Sequence, residues 1–384
     1  MSSTLRVSVD ARPLDLSFTK HQGVGRYADA LLRELPAVAA EHGGELVLLR
    51  ARGAGDGAFG RGAGAGAEMT ALRRPPLPNR AAELVEQALL PFDLRRVRAD
   101  VHHTLSIYRA PLRPGIPTVV TVHDVIPLMW PEEYMRTGTI HRMLYAAARR
   151  ARRLIVPCGA VRDDVAHHLG VPAERMAVVP YAAGEHFVPT DPSGVRGRLK
   201  LDGPYVVFVG GLTQADPRKQ VELLIDAFTR WSRERGRPET LVLAGRLGPG
   251  GAPLVERAER LGARALFTDF LPDEELPALL SGARCLVTPS RYEGFGLTAL
   301  EAISCGTPVA CFEAGALAEV AGPGALLAPA GDGEALMRSV EQLCDDADLR
   351  GRLSAAGLEH ARAFSWRRTA AGTWAAYESV KISG

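Results

Sequence analysis

From Arg284 to Pro308 the chain commits to a strand end, a glycine loop and a helix start in quick succession. Arg284-Cys285-Leu286-Val287 is a short apolar run closed by Thr288-Pro289-Ser290, as a buried parallel strand would be. The loop carries Glu293, Gly294, Phe295 and Gly296; Leu297 to Ile303 then offers good helix formers at apolar spacing, and Gly306-Thr307-Pro308 stops them. A helix start preceded by glycines is a ready anion site, because unpaired backbone N–H groups and the positive dipole end face whatever sits in the loop. Glu293 precedes the loop and Glu301 lies about one turn into the helix. One carboxylate can therefore reach a sugar beyond a bound diphosphate, and the other a ribose on the near side.

The same alternation recurs along the chain. Tyr205 to Val209 is an uninterrupted apolar strand, followed by Gly210-Gly211 and then by Arg218-Lys219 just before an amphipathic helix from about Val221 to Trp231. Two bases at a helix start supply the positive charge that a diphosphate needs. Thr240 to Ala244 is another strand, with a glycine loop from Gly245 to Gly251. In the first half, Leu5 to Asp10 reads as a strand, and a loop ending in His21-Gln22-Gly23-Val24-Gly25-Arg26-Tyr27 opens a helix over Ala28 to Leu35. Leu46 to Leu49 is a further strand. Residues 51 to 67, rich in Gly, Ala and Arg, read as a flexible loop. Thr118 to Val122 is a β-branched strand that delivers His123-Asp124 at its carboxyl end, where open parallel sheets bind ligands. Helices are expected from about Arg80 to Leu90 and from His141 to Arg153, the latter basic, and Trp366 to Val380 reads as the last helix.

A length of 384 residues suits about two domains. A net charge of +2 makes no general case for nucleic acid. The five cysteines are scattered without metal-ligand spacing and read as reduced core thiols. No segment reaches the roughly 18 apolar residues of a membrane span, so a cytoplasmic protein is expected, with at most peripheral membrane contact through the basic helix. The Ala-, Arg- and Gly-rich composition points to a GC-rich bacterial genome.

The run Glu293-Gly-Phe-Gly-Leu to Glu301-Ala, then Gly306-Thr-Pro-Val, resembles the signature of family-four retaining glycosyltransferases, the group-1 glycosyltransferases of two-domain GT-B fold. The resemblance implies an α/β chain of two facing Rossmann-like domains with a cleft between them and a C-terminal helix crossing back to the first domain. The expected division is 1–188 for acceptor binding, 189–203 as linker, 204–365 for nucleotide-sugar binding, and 366–384 as the returning helix. Carried over residue by residue, Glu293 binds sugar hydroxyls, Glu301 the ribose, Arg218 and Lys219 the diphosphate, and His123 the donor sugar at its reacting end. Gly23 and Gly25 lie near the donor diphosphate, with Gly211 and the loop Gly294, Phe295, Gly296 and Leu297. The backbone at Phe270 and Leu271 contacts the nucleobase. The chain departs from the family at Thr298 (usually Pro), Pro157 (usually Ser), Tyr181-Ala-Ala-Gly184 (usually an Asn-Gly turn), Asp269 (usually Gly), and Gly211, where some members have Arg.

The reaction implied is transfer of a sugar from a nucleotide-diphosphate donor, GDP-mannose-like or a UDP-sugar, to a hydroxyl of a glycan, lipid-linked or small natural-product acceptor. No metal or other cofactor is expected, because no Asp-x-Asp motif is placed to bind a cation and the two bases can take its place. A sugar-nucleotide epimerase of the same fold and a catalytically weakened nucleotide-sugar-binding protein are the alternatives.

Overall fold

The computed structural model describes residues 4–15, 23–51, 64, 66–72, 79–134, 139–212 and 216–381. His21-Gln22, Pro75 to Pro78, Thr213 to Ala215 and most of the glycine-rich stretch 51–67 lie outside them. The chain divides into two units, Met1–Tyr181 with Ser365–Gly384, and Ala182–Phe364.

In the first unit the strands are β1 (Arg6–Asp10), β2 (Glu45–Arg50), β3 (Glu68–Ala71), β4 (Val101–Thr104), β5 (Thr118–Thr121), β6 (Arg153–Val156) and β7 (Met176–Val178). They form a parallel sheet in the order β3-β2-β1-β4-β5-β6-β7. Helices follow the strands, so Val7, Val9, Val47, Val101, Val119 and Val120 are buried whichever face they occupy. Strand order reverses between β1 and β4, which makes the crevice beyond their carboxyl ends the natural ligand position in this unit. The helix Gly23–Glu41 buries Leu31, Leu32, Leu35 and Val38 at helical spacing. Against it lies the helix Trp366–Glu378, which returns from the far end of the sequence with Trp374 and Tyr377 fully buried. A Cβ at Gly44 would come 2.2 Å from Trp374 Cζ2, so this corner admits only glycine as built.

In the second unit β8 (Tyr205–Val209), β9 (Thr240–Ala244), β10 (Ala265–Asp269), β11 (Leu286–Thr288), β12 (Val309–Phe312) and β13 (Ala325–Ala328) form a parallel sheet in the order β10-β9-β8-β11-β12-β13. Leu224, Ile225 and Phe228 of the helix Val221–Glu234 close one side of its core with Leu241, Leu243 and Val287. Order reverses between β8 and β11, so Gly210 and the run after Thr288 stand at this unit's switch point.

Several boundaries differ from the sequence reading. The stretch 189–203, expected as a linker, belongs to the second unit and carries the helix Ser193–Leu199. Val195 buries itself there, and Thr190 N–H donates to Ser281 Oγ at 3.0 Å. Gly23 and Gly25 are the first turn of a helix and not the loop before it. The helix expected to stop at Leu90 continues through Pro91 to Arg96, and the basic helix runs Thr139–Arg150 before β6 takes over. All five cysteines are buried, and none of them forms a disulfide among the described residues. Among the described residues no helix is long and apolar enough to cross a membrane.

Candidate active site

The second unit gathers the motif charges at its switch point. Asp216 accepts the Arg218 N–H at 3.1 Å, capping a short turn, Pro217–Lys219, that presents both bases. Arg218 Nη1 donates to Glu293 Oε2 at 2.9 Å and to the Tyr292 carbonyl at 2.8 Å, while Nη2 donates to Asp216 Oδ2 at 2.9 Å. Lys219 Nζ donates to Glu293 Oε1 at 2.5 Å. Glu293 is thus held at both oxygens by cations from a segment far away in sequence. Burial pushes its carboxyl up, but Lys219 and Arg218 outweigh that and bring it to about 2. Glu293 and Asp216 together balance the two bases expected to receive a diphosphate.

Behind the loop, the Glu293 carbonyl accepts Ala316 N–H at 2.9 Å. Gly315, at φ +57°, lets that second loop close in, since a Cβ there would sit 2.4 Å from the Glu293 oxygen. Gly296, at φ +82°, turns the chain into the helix Leu297–Ser304. The amides of Gly294 to Leu297 therefore lead into a helix start, as the sequence suggested. Phe295 is buried with its ring 6.2 Å from that of Phe364, so its side chain packs and leaves only backbone for a ligand. Glu301 is also buried, in the second turn of the same helix. Gly211 is exposed, and a Cβ there would meet nothing within 4 Å.

Asp269 adopts φ +55°, which explains a usual glycine at that place, and its Oδ1 accepts the Leu247 N–H at 2.8 Å. Phe270, 58% exposed, lies under the Arg246 guanidinium at 5.2 Å, while Leu271 is buried.

In the first unit His123 follows β5. The Leu105 carbonyl can only accept, so His123 Nε2 carries the proton it donates there at 2.8 Å; Nδ1 accepts the Tyr181 hydroxyl at 2.6 Å. Burial lowers the ring to about 4, keeping it neutral. Tyr27 stands edge-on to His123 with centroids 5.0 Å apart, and Tyr181 stacks on Trp366 at 6.3 Å and 11°. Asp124 Oδ1 accepts the Ile126 N–H at 3.0 Å and so caps the next turn. Gly23 is exposed and Gly25 buried in the first turn of their helix. Sequence reasoning missed Asp216 and Gly315; an Asp before Pro at a turn and a glycine shortly after a strand were the available signals.

Two family profiles match the chain, one described as Glycosyltransferase Family 4 over residues 21–182 and one as Glycosyl transferases group 1 over residues 195–360. The chain belongs to the family-four glycosyltransferases. It is 29% identical over 375 residues to the O-antigen chain mannosyltransferase B of Escherichia coli, covering 93% of this chain and 96% of that one. It is 32% identical over 286 residues to the MMP alpha-(1->4)-mannosyltransferase of Mycolicibacterium hassiacum, covering 69% of this chain and 66% of that protein. The structure of sucrose-phosphate synthase from Thermosynechococcus elongatus superposes with a TM-score of 0.74 at 22% identity, over 98% of both chains. This glycosyltransferase accordingly has the GT-B fold of two Rossmann-like domains.

Proposed function

We propose that this glycosyltransferase transfers mannose from GDP-mannose to a hydroxyl of a glycan acceptor, with retention at the anomeric carbon and without a metal. The mannosyl assignment is supported by the two mannosyltransferase relatives, and glycan acceptors by the O-antigen enzyme that aligns along nearly the whole chain. The observation that carries the reaction is the grip of Arg218 and Lys219 on Glu293 beside the start of the helix Leu297–Ser304. When a donor binds, its diphosphate competes with the carboxylate for the two bases, and Glu293 is freed to accept sugar hydroxyls. As the bond from the anomeric carbon to phosphate breaks, Arg218, Lys219 and the amides of Gly294 to Leu297 receive the charge on the leaving diphosphate. The acceptor oxygen attacks from the same face, and its proton passes to the departing phosphate oxygen. In the second unit Glu301 anchors the ribose, Phe270 and Leu271 border the base and Gly211 leaves room for the phosphates; His123, Gly23 and Gly25 of the first unit take the donor-side roles that the family resemblance implies.

The test is a thermal-shift screen against GDP, UDP, ADP and dTDP and their sugar conjugates, followed by NMR of the product formed in EDTA. A shift with the GDP series and an α-linked mannoside support the reading. A shift confined to another base, a β-linkage, or turnover that EDTA abolishes and magnesium restores would each overturn the corresponding part.

A further inference from the structure

We propose that Tyr181 is a positioning residue of the transfer reaction: its hydroxyl holds the His123 ring, whose tautomer the Leu105 carbonyl fixes, in one orientation, and the stack with Trp366 holds that hydroxyl in place. The inference rests on the reading of His123 given above.

The geometry leaves little choice of protonation. Leu105 offers His123 an acceptor at 2.8 Å, so Nε2 must carry hydrogen. Nδ1 of a neutral ring is then a bare lone pair, and Tyr181 supplies the O–H that satisfies it at 2.6 Å. Burial raises the Tyr181 phenol well above its ordinary value, so the hydroxyl remains a donor. The two bonds fix the imidazole at both nitrogens. A ring fixed in this way cannot relay a proton; it presents a neutral surface of constant shape.

Tyr181 is held in turn. Its ring lies parallel to Trp366 at 6.3 Å and contacts Tyr27 at 4.6 Å, and Thr369 Oγ1 donates to the adjacent Pro180 carbonyl at 2.7 Å. The titratable groups around His123 are Tyr27 and Tyr181, with His103, whose ring nitrogens are engaged by Tyr377 and Thr121, and Asp124 next along the chain. Burial also holds His103 neutral, at about 3. No cation among these would hold His123 in place of the Tyr181 hydroxyl.

The experiment uses the full chain, Tyr181→Phe, which keeps the ring stack and removes only the hydroxyl. Nitrogen-15 NMR of histidine-labelled protein, with His123 assigned by loss of its signal in His123→Ala, should show a fixed Nε2–H tautomer in the parent. In Tyr181→Phe the Leu105 carbonyl should keep the Nε2–H tautomer, while Nδ1 loses its donor and the ring protonates at higher pH. GDP release from GDP-mannose should fall about tenfold in kcat with KM changed less than twofold. The double variant with His123→Ala should be no slower than His123→Ala alone. A His123 protonation pH that Tyr181→Phe leaves unchanged, or kinetic losses that multiply in the double variant, overturns the proposal. If Tyr181→Phe unfolds, Trp366→Phe serves instead, and kcat loss that disappears in the His123→Ala background is again expected. If His123→Ala turns over as the parent does, the reading of His123 fails while the NMR result still decides whether Tyr181 locks it.

Discussion

Glu293 sets two demands against each other, and replacing it by Gln separates them. In the folded chain its carboxyl stands at about 2 against an ordinary 4.5, in spite of burial that acts the other way. At about 1.4 kcal/mol for each tenfold, that drop corresponds to about 3 kcal/mol of attraction to Lys219 and Arg218 beyond the cost of burial. A diphosphate that takes those bases must displace this attraction. Glu293→Gln removes the competitor, so GDP should bind about tenfold or more tighter by calorimetry. Sugar transfer should nevertheless fall by about two orders of magnitude, because the carboxylate that accepts the sugar hydroxyls is gone. Folding stability should drop at neutral pH, since two partly buried cations lose their partner. The sign with pH follows: a carboxyl depressed in the folded state contributes its stability above about 4.5 and loses it as pH falls towards about 2. Weaker GDP binding together with slower transfer would refute the competition, and unchanged transfer would remove Glu293 from the chemistry.

Gly315→Ala should destabilise the second unit by about 2–4 kcal/mol, combining positive-φ strain with the approach to the Glu293 backbone, and should slow transfer by shifting that loop; thermal melting and kcat check it. Burial lowers His102 to about 4 and His103 to about 3, so the unfolded chain binds more protons than the folded one below about 6.5. With His123, held at about 4 in the same way, stability should therefore fall by about 4 kcal/mol between pH 7 and 5.5 in urea titrations; a flat profile would contradict the neutral buried rings. Trp374→Ala empties a fully buried site and should cost about 3–5 kcal/mol, read as a lower denaturation midpoint of the first unit.

The parallel architecture was legible because strand ends announce themselves as apolar runs closed by a glycine, as at Val209-Gly210, or by polar residues, as at Val122-His123-Asp124. The motif also places Glu293 and Gly296 without help from distant residues. What stayed hidden depends on partners far apart in sequence. That Arg218 and Lys219 bind Glu293 needs the turn after β8 to meet the loop after β11, and no local pattern encodes that meeting. The burial of Phe295 is likewise decided by Phe364. Gly23 and Gly25 were expected in a loop because glycine weakens helices; the apolar face from Tyr27 to Val38 is strong enough to carry the helix through them. Asp269 looked like an unexplained departure until its left-handed backbone showed that a short polar side chain can substitute for glycine there.

The division of the chain has a consequence for biosynthesis. The second unit is one continuous segment, 182–364, whereas the first waits for its closing helix, whose Trp374 and Tyr377 complete a core begun at Leu5. A ribosome delivers those side chains only after the whole second unit. The first unit should therefore remain open to chaperones and proteases until that helix is made, while the second, begun later, can reach its native state sooner.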